Sequence, residues 1–330
     1  MAANDARRER MVTVGGNRLF VREQGEGTPI LLVNGLGSNA DMWGAVESRL
    51  AGSARTIAYD LPGSGRSPTP HRPLSIAMLA RQASSLLDVL GYDRTHVLGY
   101  SLGGLVAQQL AHDRSDRVLR MALVGTACGW GSMPPTRQAL ALLAMPIRYH
   151  SRSLYWHTNH LLSPGDRQLL SRLPNLTESR LRHPPPLLGY AYQLSAGSMW
   201  SSLPWIATVR TPSLVLAGLD DHVVPAANSV QIARLLPESR LHLLAGAGHL
   251  FVFDPQGPAI PLLESFLGSE RHRESRAWSD GMLVDRDELV ESAFAASHGV
   301  LPHRAFSDAY RRFVESEQRR RRKGRRSAVR

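Results

Sequence analysis

The sequence predicts an α/β fold: a mostly parallel sheet wound on both faces by helices, with a helical insertion before the last two strands and a helical extension at the end. Three observations predict it. Nearly continuous apolar runs of strand length recur along the chain, as expected of strands buried on both faces. Helix-period segments lie between them, an alternation that builds parallel sheets. A serine framed by glycines sits where one such run gives way to a helix-like segment. With 330 residues, 43% of them hydrophobic, the chain can bury a full core.

The strand-like runs are Met11–Val14, Arg18–Val21, Ile30–Asn34, Thr56–Asp60, Thr95–Tyr100, Leu119–Gly125, Ser213–Ala217 and Arg240–Leu244. Ser75–Leu90 reads as a helix, with Ile76, Leu79, Ala83, Leu86, Leu87 and Leu90 at helical spacing, and Leu105–His112 reads as another. Between about Cys128 and Trp205 the alternation stops. Proline and glycine punctuate several helix-like patches there, and no strand is convincing. This insertion is rich in large side chains, among them Met145, Tyr149, Tyr155, Trp156, Tyr190, Tyr192, Met199, Trp200 and Trp205. They are expected to form the insertion's own core and, collectively, an apolar roof over a pocket.

The domain reading is therefore a core in two parts, residues 1–127 and 206–268, interrupted by a cap at 128–205 and followed by a helical extension at 269–318. A charged linker, Glu270–Arg276, opens the extension. Helix-like stretches follow at Asp285–Ser297 and His303–Gln318, with Phe306, Tyr310 and Phe313 on one face. The last twelve residues, Arg319–Arg330, hold eight basic side chains and no acidic one, and read as a disordered tail. Subtracting those eight from the formal charge of +11 leaves only +3 for the rest of the chain, so the basicity belongs to the tail and nucleic acid is not an expected partner.

The single cysteine, Cys128, excludes an internal disulfide and a cysteine-based zinc site. The first ten residues are charged and hold no apolar stretch of the kind a secretion signal needs, and no segment reaches the roughly 18 apolar residues of a membrane span. A cytoplasmic protein is the default expectation.

The residues that carry chemistry come in a fixed order. Gly99-Tyr100-Ser101-Leu102-Gly103 follows an apolar run and precedes a helix, which describes a sharp turn that pushes a serine hydroxyl out at the sheet's edge. A serine hydroxyl needs a base to take its proton. His249, in the loop Gly246-Ala247-Gly248-His249 after the run Leu241–Leu244, is the candidate among 13 histidines; His71, His96, His112, His157 and His242 read as surface or structural. Asp220 and Asp221 follow the run Ser213–Ala217 and supply the carboxylate that orients the base, with Asp221 preferred and Asp220 the alternate. The amide of Leu102, at a helix N-terminus, and that of Leu36, in the turn Asn34-Gly35-Leu36-Gly37, are the expected oxyanion donors.

At these residues the sequence resembles the α/β-hydrolase fold family. Asp60-Leu61-Pro62-Gly63-Ser64-Gly65-Arg66-Ser67 is similar to that family's glycine-rich turn after an early strand. Within the family it most resembles the intracellular depolymerases of medium-chain polyhydroxyalkanoates. Asn34-Gly35-Leu36-Gly37-Ser38-Asn39, Pro68–Pro73, Ala107–Asp113, Gly189–Leu194, Pro212–Gly218 and Gly248-His249-Leu250-Phe251 carry that resemblance, which runs over about residues 11–268. Two departures stand out. Leu102 follows the serine where the depolymerases have tryptophan, and the region after Leu267 has no counterpart.

The resemblance implies hydrolysis of a hydroxyacyl ester or polyester with no metal or organic cofactor, Ser101, Asp221 and His249 falling on the family's catalytic positions. The residues by themselves imply acyl transfer to water, which a general carboxylesterase or lipase would share. A dehalogenase or epoxide hydrolase would need Asp at 101, and a polyhydroxyalkanoate synthase Cys. A binding protein on the same frame is the reading from another class, and the complete serine, acid and histidine set argues against it. The tail has the charge to meet an anionic granule or lipid surface.

Overall fold

In the computed structural model the described residues are 7–162 and 166–284, and the helices expected at 285–297 and 303–318 and the tail 319–330 lie outside them. All eight strand-like runs are strands: β1 (Arg8–Val14), β2 (Asn17–Gln24), β3 (Pro29–Val33), β4 (Arg55–Tyr59), β5 (Thr95–Tyr100), β6 (Val118–Val124), β7 (Ser213–Gly218) and β8 (Ser239–Leu244). They form one sheet in the order β1-β2-β4-β3-β5-β6-β7-β8. The β1–β2 and β2–β4 pairings are antiparallel and the remaining five parallel.

The side-chain period of two explains why the central runs are apolar throughout. Ile30, Leu32, Leu98, Tyr100, Ala122, Val124, Leu214 and Leu216 share one core cluster with α1 (Gly44–Leu50) and Phe266. The intervening Leu31, Val33, Val97, Leu123 and Val215 are also fully buried and turn to the opposite face. There α2 (Ile76–Leu90) packs beside α3 (Leu102–Asp113), which lies along β5 and β6. The α2 boundaries follow from local chemistry. The Ser75 hydroxyl accepts from the Met78 amide at the start, and Gly91 ends the helix in a left-handed conformation, φ +81°.

Between β6 and β7 the chain builds the cap from α4 (Arg137–Leu143), α5 (Arg152–Leu162), α6 (Asp166–Arg172), α7 (Pro174–Arg182) and α8 (Leu187–Ser198). Its two stems meet where Gly129 bridges Ser201 and the Ser202 amide donates to Cys128 O at 2.9 Å. The cap aromatics divide. Tyr149, Tyr155 and Tyr190 are buried together, Trp200 donates from Nε1 to Gln109 of α3, and Trp205 stacks on His112 at 4.2 Å, while Met199 stands exposed.

With α9 (Ala226–Leu235) between β7 and β8, the chain continues through α10 (Ala259–Gly268) to α11 (Arg276–Ser279). The sequence reading puts a charged linker at Glu270–Arg276; in this stretch Arg120 donates to Glu270 O at 2.7 Å and the His272 ring packs 4.7 Å from Trp278. Trp278 stacks on Phe266 at 5.9 Å, His242 Nε2 lies 2.7 Å from Ala277 O, and Met282 exchanges both backbone hydrogen bonds with Leu241. Those bonds pair the outward backbone groups of Leu241 on the edge of β8. Among the described residues, no helix is long and apolar enough to cross a membrane.

Chain order reverses at β3, which has β4 on one side and β5 on the other. In an open parallel sheet the loops leaving the strand ends on the two sides of such a point separate and leave a crevice. The loop after β3 and the turn after β5 meet there, and they carry Leu36 and Ser101.

Candidate active site

Ser101 occupies the single residue step between β5 and α3 with φ +53°, and among the described residues it is the one non-glycine at positive φ. The surroundings hold it in this strained conformation. Its amide donates to Val124 O at 2.9 Å, and its carbonyl accepts from the Thr126 hydroxyl at 2.7 Å. The glycines are demanded by close approach. A Cβ on Gly103 would lie 2.0 Å from Val33 O, one on Gly99 2.5 Å from Gly103 O, and one on Gly104 2.3 Å from Thr126 Oγ1.

The structure brings the three predicted side chains together. His249 Nε2 lies 3.1 Å from Ser101 Oγ, and His249 Nδ1 lies 2.7 Å from Asp221 Oδ2. A carboxylate only accepts, so Nδ1 carries the ring proton and Nε2 is left to accept from the serine hydroxyl. Asp221 is buried, and its second oxygen accepts from the amides of Val223 and Val224, both at 2.8 Å. Those two bonds fix the orientation of the Asp221 carboxylate. The turn Gly218–Pro225 aims Asp221 at the histidine, while Asp220 is partly exposed and its amide donates to Ala247 O. The Tyr100 ring packs 5.0 Å from the imidazole and 5.0 Å from Phe253, fixing the plane of the histidine from below.

Leu36 and Leu102 both line the space above Ser101. Leu102 is the first residue of α3, so its amide has no carbonyl one turn earlier to receive it. Gly35 brings the other loop in: a Cβ there would lie 3.0 Å from Ser101 Cβ. The loop is held by the Gly37 amide, which donates to Gln193 Oε1 of α8 at 3.0 Å, while Gln193 Nε2 donates to Pro62 O at 2.9 Å. The motif at Asp60 serves this frame, as its carboxylate accepts from the Ala40 and Arg66 amides at 2.6 and 2.7 Å. Burial pushes that carboxyl up to about 6.

Over the serine the cap encloses a cavity of about 730 Å³ whose wall is mostly apolar, with Leu105, Leu143, Leu194 and Val223 among its residues. Trp130 and Leu140 line it and also stand exposed at its mouth. Leu102 occupies the space beneath α8: a Cβ on Gly197 would lie 2.8 Å from its Cδ1, so the side chain that replaces the expected tryptophan is met directly by the cap.

Sequence reasoning missed the polar groups of this wall. Asp166, at the start of α6, is buried and accepts from the His249 amide at 2.9 Å and the Leu250 amide at 3.0 Å. It thereby ties the cap to the histidine loop, and Gly248 makes room for it, since a Cβ there would lie 2.6 Å from Asp166 Cγ. Burial pushes the Asp166 carboxyl up to about 7, and the Asp221 charge adds to the rise against the hydrogen bonds and the nearby imidazole. Arg148, Asn159 and Arg180 also line the cavity. No sequence signal marks these residues: each lies in a charged or turn-like stretch, and only the folded cap turns it inward. Of the other histidines, His96 is buried in β5 and pushed down to about 3 by that burial, in keeping with a structural role.

Comparison with known proteins agrees with this architecture. Residues 28–256 match the family model described as the alpha/beta hydrolase fold. A poly(3-hydroxyalkanoate) depolymerase from Ectopseudomonas oleovorans is 34% identical over 246 residues, 74% of this chain and 86% of that protein. Among solved structures, a hydrolase from Pseudomonas aeruginosa PA01 is 28% identical with a TM-score of 0.68, covering 82% of this chain and all of that one. The enol-lactonase from Burkholderia xenovorans LB400 is 25% identical with a TM-score of 0.63, covering 74% and 94%.

Proposed function

For a chain that belongs to the α/β-hydrolase fold family, we propose serine-dependent hydrolysis of carboxylic esters, with medium-chain hydroxyacyl esters, polyhydroxyalkanoate among them, as substrates. One observation carries the reading: an unbroken line of hydrogen-bonding contacts from Asp221 through His249 to Ser101, beneath a mostly apolar cavity.

In this mechanism His249 Nε2 takes the hydroxyl proton as Ser101 Oγ attacks the ester carbonyl. Asp221 holds the ring in the required tautomer and stabilises the imidazolium that forms. The Leu36 and Leu102 amides meet the developing oxyanion. The imidazolium gives its proton to the leaving alkoxide, and the acyl group stays on Ser101. Water then attacks with His249 again as base, releasing the acid and restoring the serine. The cavity size suits a medium acyl chain, and the exposed apolar mouth at Trp130 and Leu140 suits a poorly soluble substrate. The identity to the depolymerase supports the polyester assignment.

The test is hydrolysis of a medium-chain polyhydroxyalkanoate suspension beside p-nitrophenyl esters of increasing acyl length, with Ser101→Ala as control. Polymer and medium-chain activities that both vanish in the variant support the proposal. Cleavage confined to short esters removes the polymer assignment and leaves a general esterase. Unchanged hydrolysis in the variant removes the mechanism.

A further inference from the structure

Among the described residues, two arginines in the cavity wall meet no carboxylate, and we infer that they receive one from the substrate: the ester this site takes carries a free carboxylate near the bond that is cut, as the terminal unit of a hydroxyacyl oligomer does. The inference rests on the ester-hydrolase reading above.

Arg148 is 1% exposed, and its Nη2 donates to Asn159 Oδ1 at 2.6 Å while Nε and Nη1 have no partner. Arg180 is 7% exposed; its Nη2 donates to Leu36 O at 3.0 Å and to the Tyr149 hydroxyl at 3.1 Å, and its Nε has no partner. Both line the cavity that Ser101 and His249 line. Among the described residues neither makes an ion pair. The one carboxylate in the cavity wall among the described residues, Asp166, is engaged by the His249 and Leu250 amides.

A guanidinium taken out of water is unfavourable unless it is paired. The partial compensation here is of the wrong size. The ring faces of Tyr149 and Tyr155 lie 5.0 and 5.3 Å from Arg148, and that of Tyr149 lies 4.5 Å from Arg180; such contacts are weaker than a buried ion pair. A positive field is therefore left in this corner. Burial raises the Tyr149 hydroxyl, while the Arg180 and Arg148 charges and the hydrogen bonds to Tyr190 and Arg180 lower it, the net direction being below the ordinary tyrosine value. An anionic group is what such a wall recognises, and a planar carboxylate matches a guanidinium best. Arg180 also grips the carbonyl of Leu36, so the same side chain that meets the carboxylate fixes the loop of the expected oxyanion donor.

The carboxylate is a spectator in the chemistry. The ester C–O bond breaks as the Ser101 Oγ–C bond forms, the terminal hydroxyacid leaves with the proton from His249, and water supplies the oxygen and hydrogen that release the remaining acyl group.

The experiment uses the full chain and a dimer of 3-hydroxyoctanoate, offered with its terminal carboxylate free or capped as the primary amide, which removes the charge and keeps the shape. The free acid is expected to be cleaved with a kcat/KM about tenfold or more above the amide, mainly through KM, in line with a charged hydrogen bond. Arg148→Gln brings the ratio within one preparation close to unity, and Arg148→Lys retains part of it; because the ratio is internal, loss of folded protein does not affect it. A native ratio near one, or cleavage of p-nitrophenyl octanoate alone, overturns the carboxylate subsite and leaves the ester-hydrolase reading standing. No cleavage of any of the three overturns both.

Discussion

The two walls of the cavity were built by different rules. On the sheet side, close approach places Ser101: a Cβ on Gly99, Gly103 or Gly104 would lie 2.0–2.5 Å from Gly103 O, Val33 O or Thr126 Oγ1. On the cap side, Arg148, Asp166 and Arg180 reach the cavity as single side chains from separate elements. The sheet wall is local and written in spacing; the cap wall is long-range and written nowhere contiguous. In the proposed mechanism the first sets the chemistry and the second what the chemistry acts upon, so sheet-side variants should strike kcat and cap-side variants should act on recognition and pH dependence.

The largest expected effect is that of Ser101→Ala, which should lower kcat on a medium-chain p-nitrophenyl ester by about 10⁴-fold or more, read by initial rates. Next comes the pair of aspartates. Asp221→Asn should cost about 10⁴-fold in kcat, because the histidine then adopts the wrong tautomer, while Asp220→Asn should leave kcat near native. The reverse ranking would move the acid by one residue and break the assignment.

A smaller effect is expected from Gly103→Ala. Its new Cβ meets the Val33 carbonyl, so the variant should lose about 1–3 kcal/mol of stability, measured by thermal or denaturant unfolding. Retained stability would mean that the turn is not held by close approach.

The smallest and most informative concerns Asp166→Asn. The Asp166 carboxyl is raised to about 7 in the fold, against roughly 4 in an unfolded chain. The folded state then binds the proton more tightly, so this group's contribution is fully present below about pH 4 and is lost as pH rises through about 7. Asp60, raised to about 6, acts in the same direction and is common to both proteins. Unfolding temperatures followed from pH 5 to 8 should show native protein losing ground to the variant as pH rises; a constant difference would refute the buried carboxyl.

These differences also explain what was legible beforehand. The central strands could be read because a strand buried on both faces must be apolar throughout, as Leu31, Leu32 and Val33 are, whereas β1, exposed along most of its length, could be read only from its short apolar end. Ser101, Asp221 and His249 were candidates because each follows such a run in a fixed order, and the fold brings the three side chains within hydrogen-bonding reach, with the Val223 and Val224 amides holding the Asp221 carboxylate. The packing of 270–282 could not be read. Its charged side chains face water, and the contacts that hold it, Trp278 on Phe266 and Met282 on Leu241, depend on a sheet edge distant in sequence. Asp166 was hidden for a related reason: an aspartate after Ser163-Pro164-Gly165 reads as turn chemistry, and its partners are amides 83 and 84 residues away.

The central claim is that Ser101 is the nucleophile, and the most direct measurement is covalent capture. The full chain is treated with a fluorophosphonate, digested, and its peptides weighed. The account predicts a single adduct on the peptide that contains Ser101, loss of ester hydrolysis in step with labelling, and markedly slower labelling of His249→Ala. Adduct on another residue, or hydrolysis that persists after Ser101 is fully labelled, would contradict it.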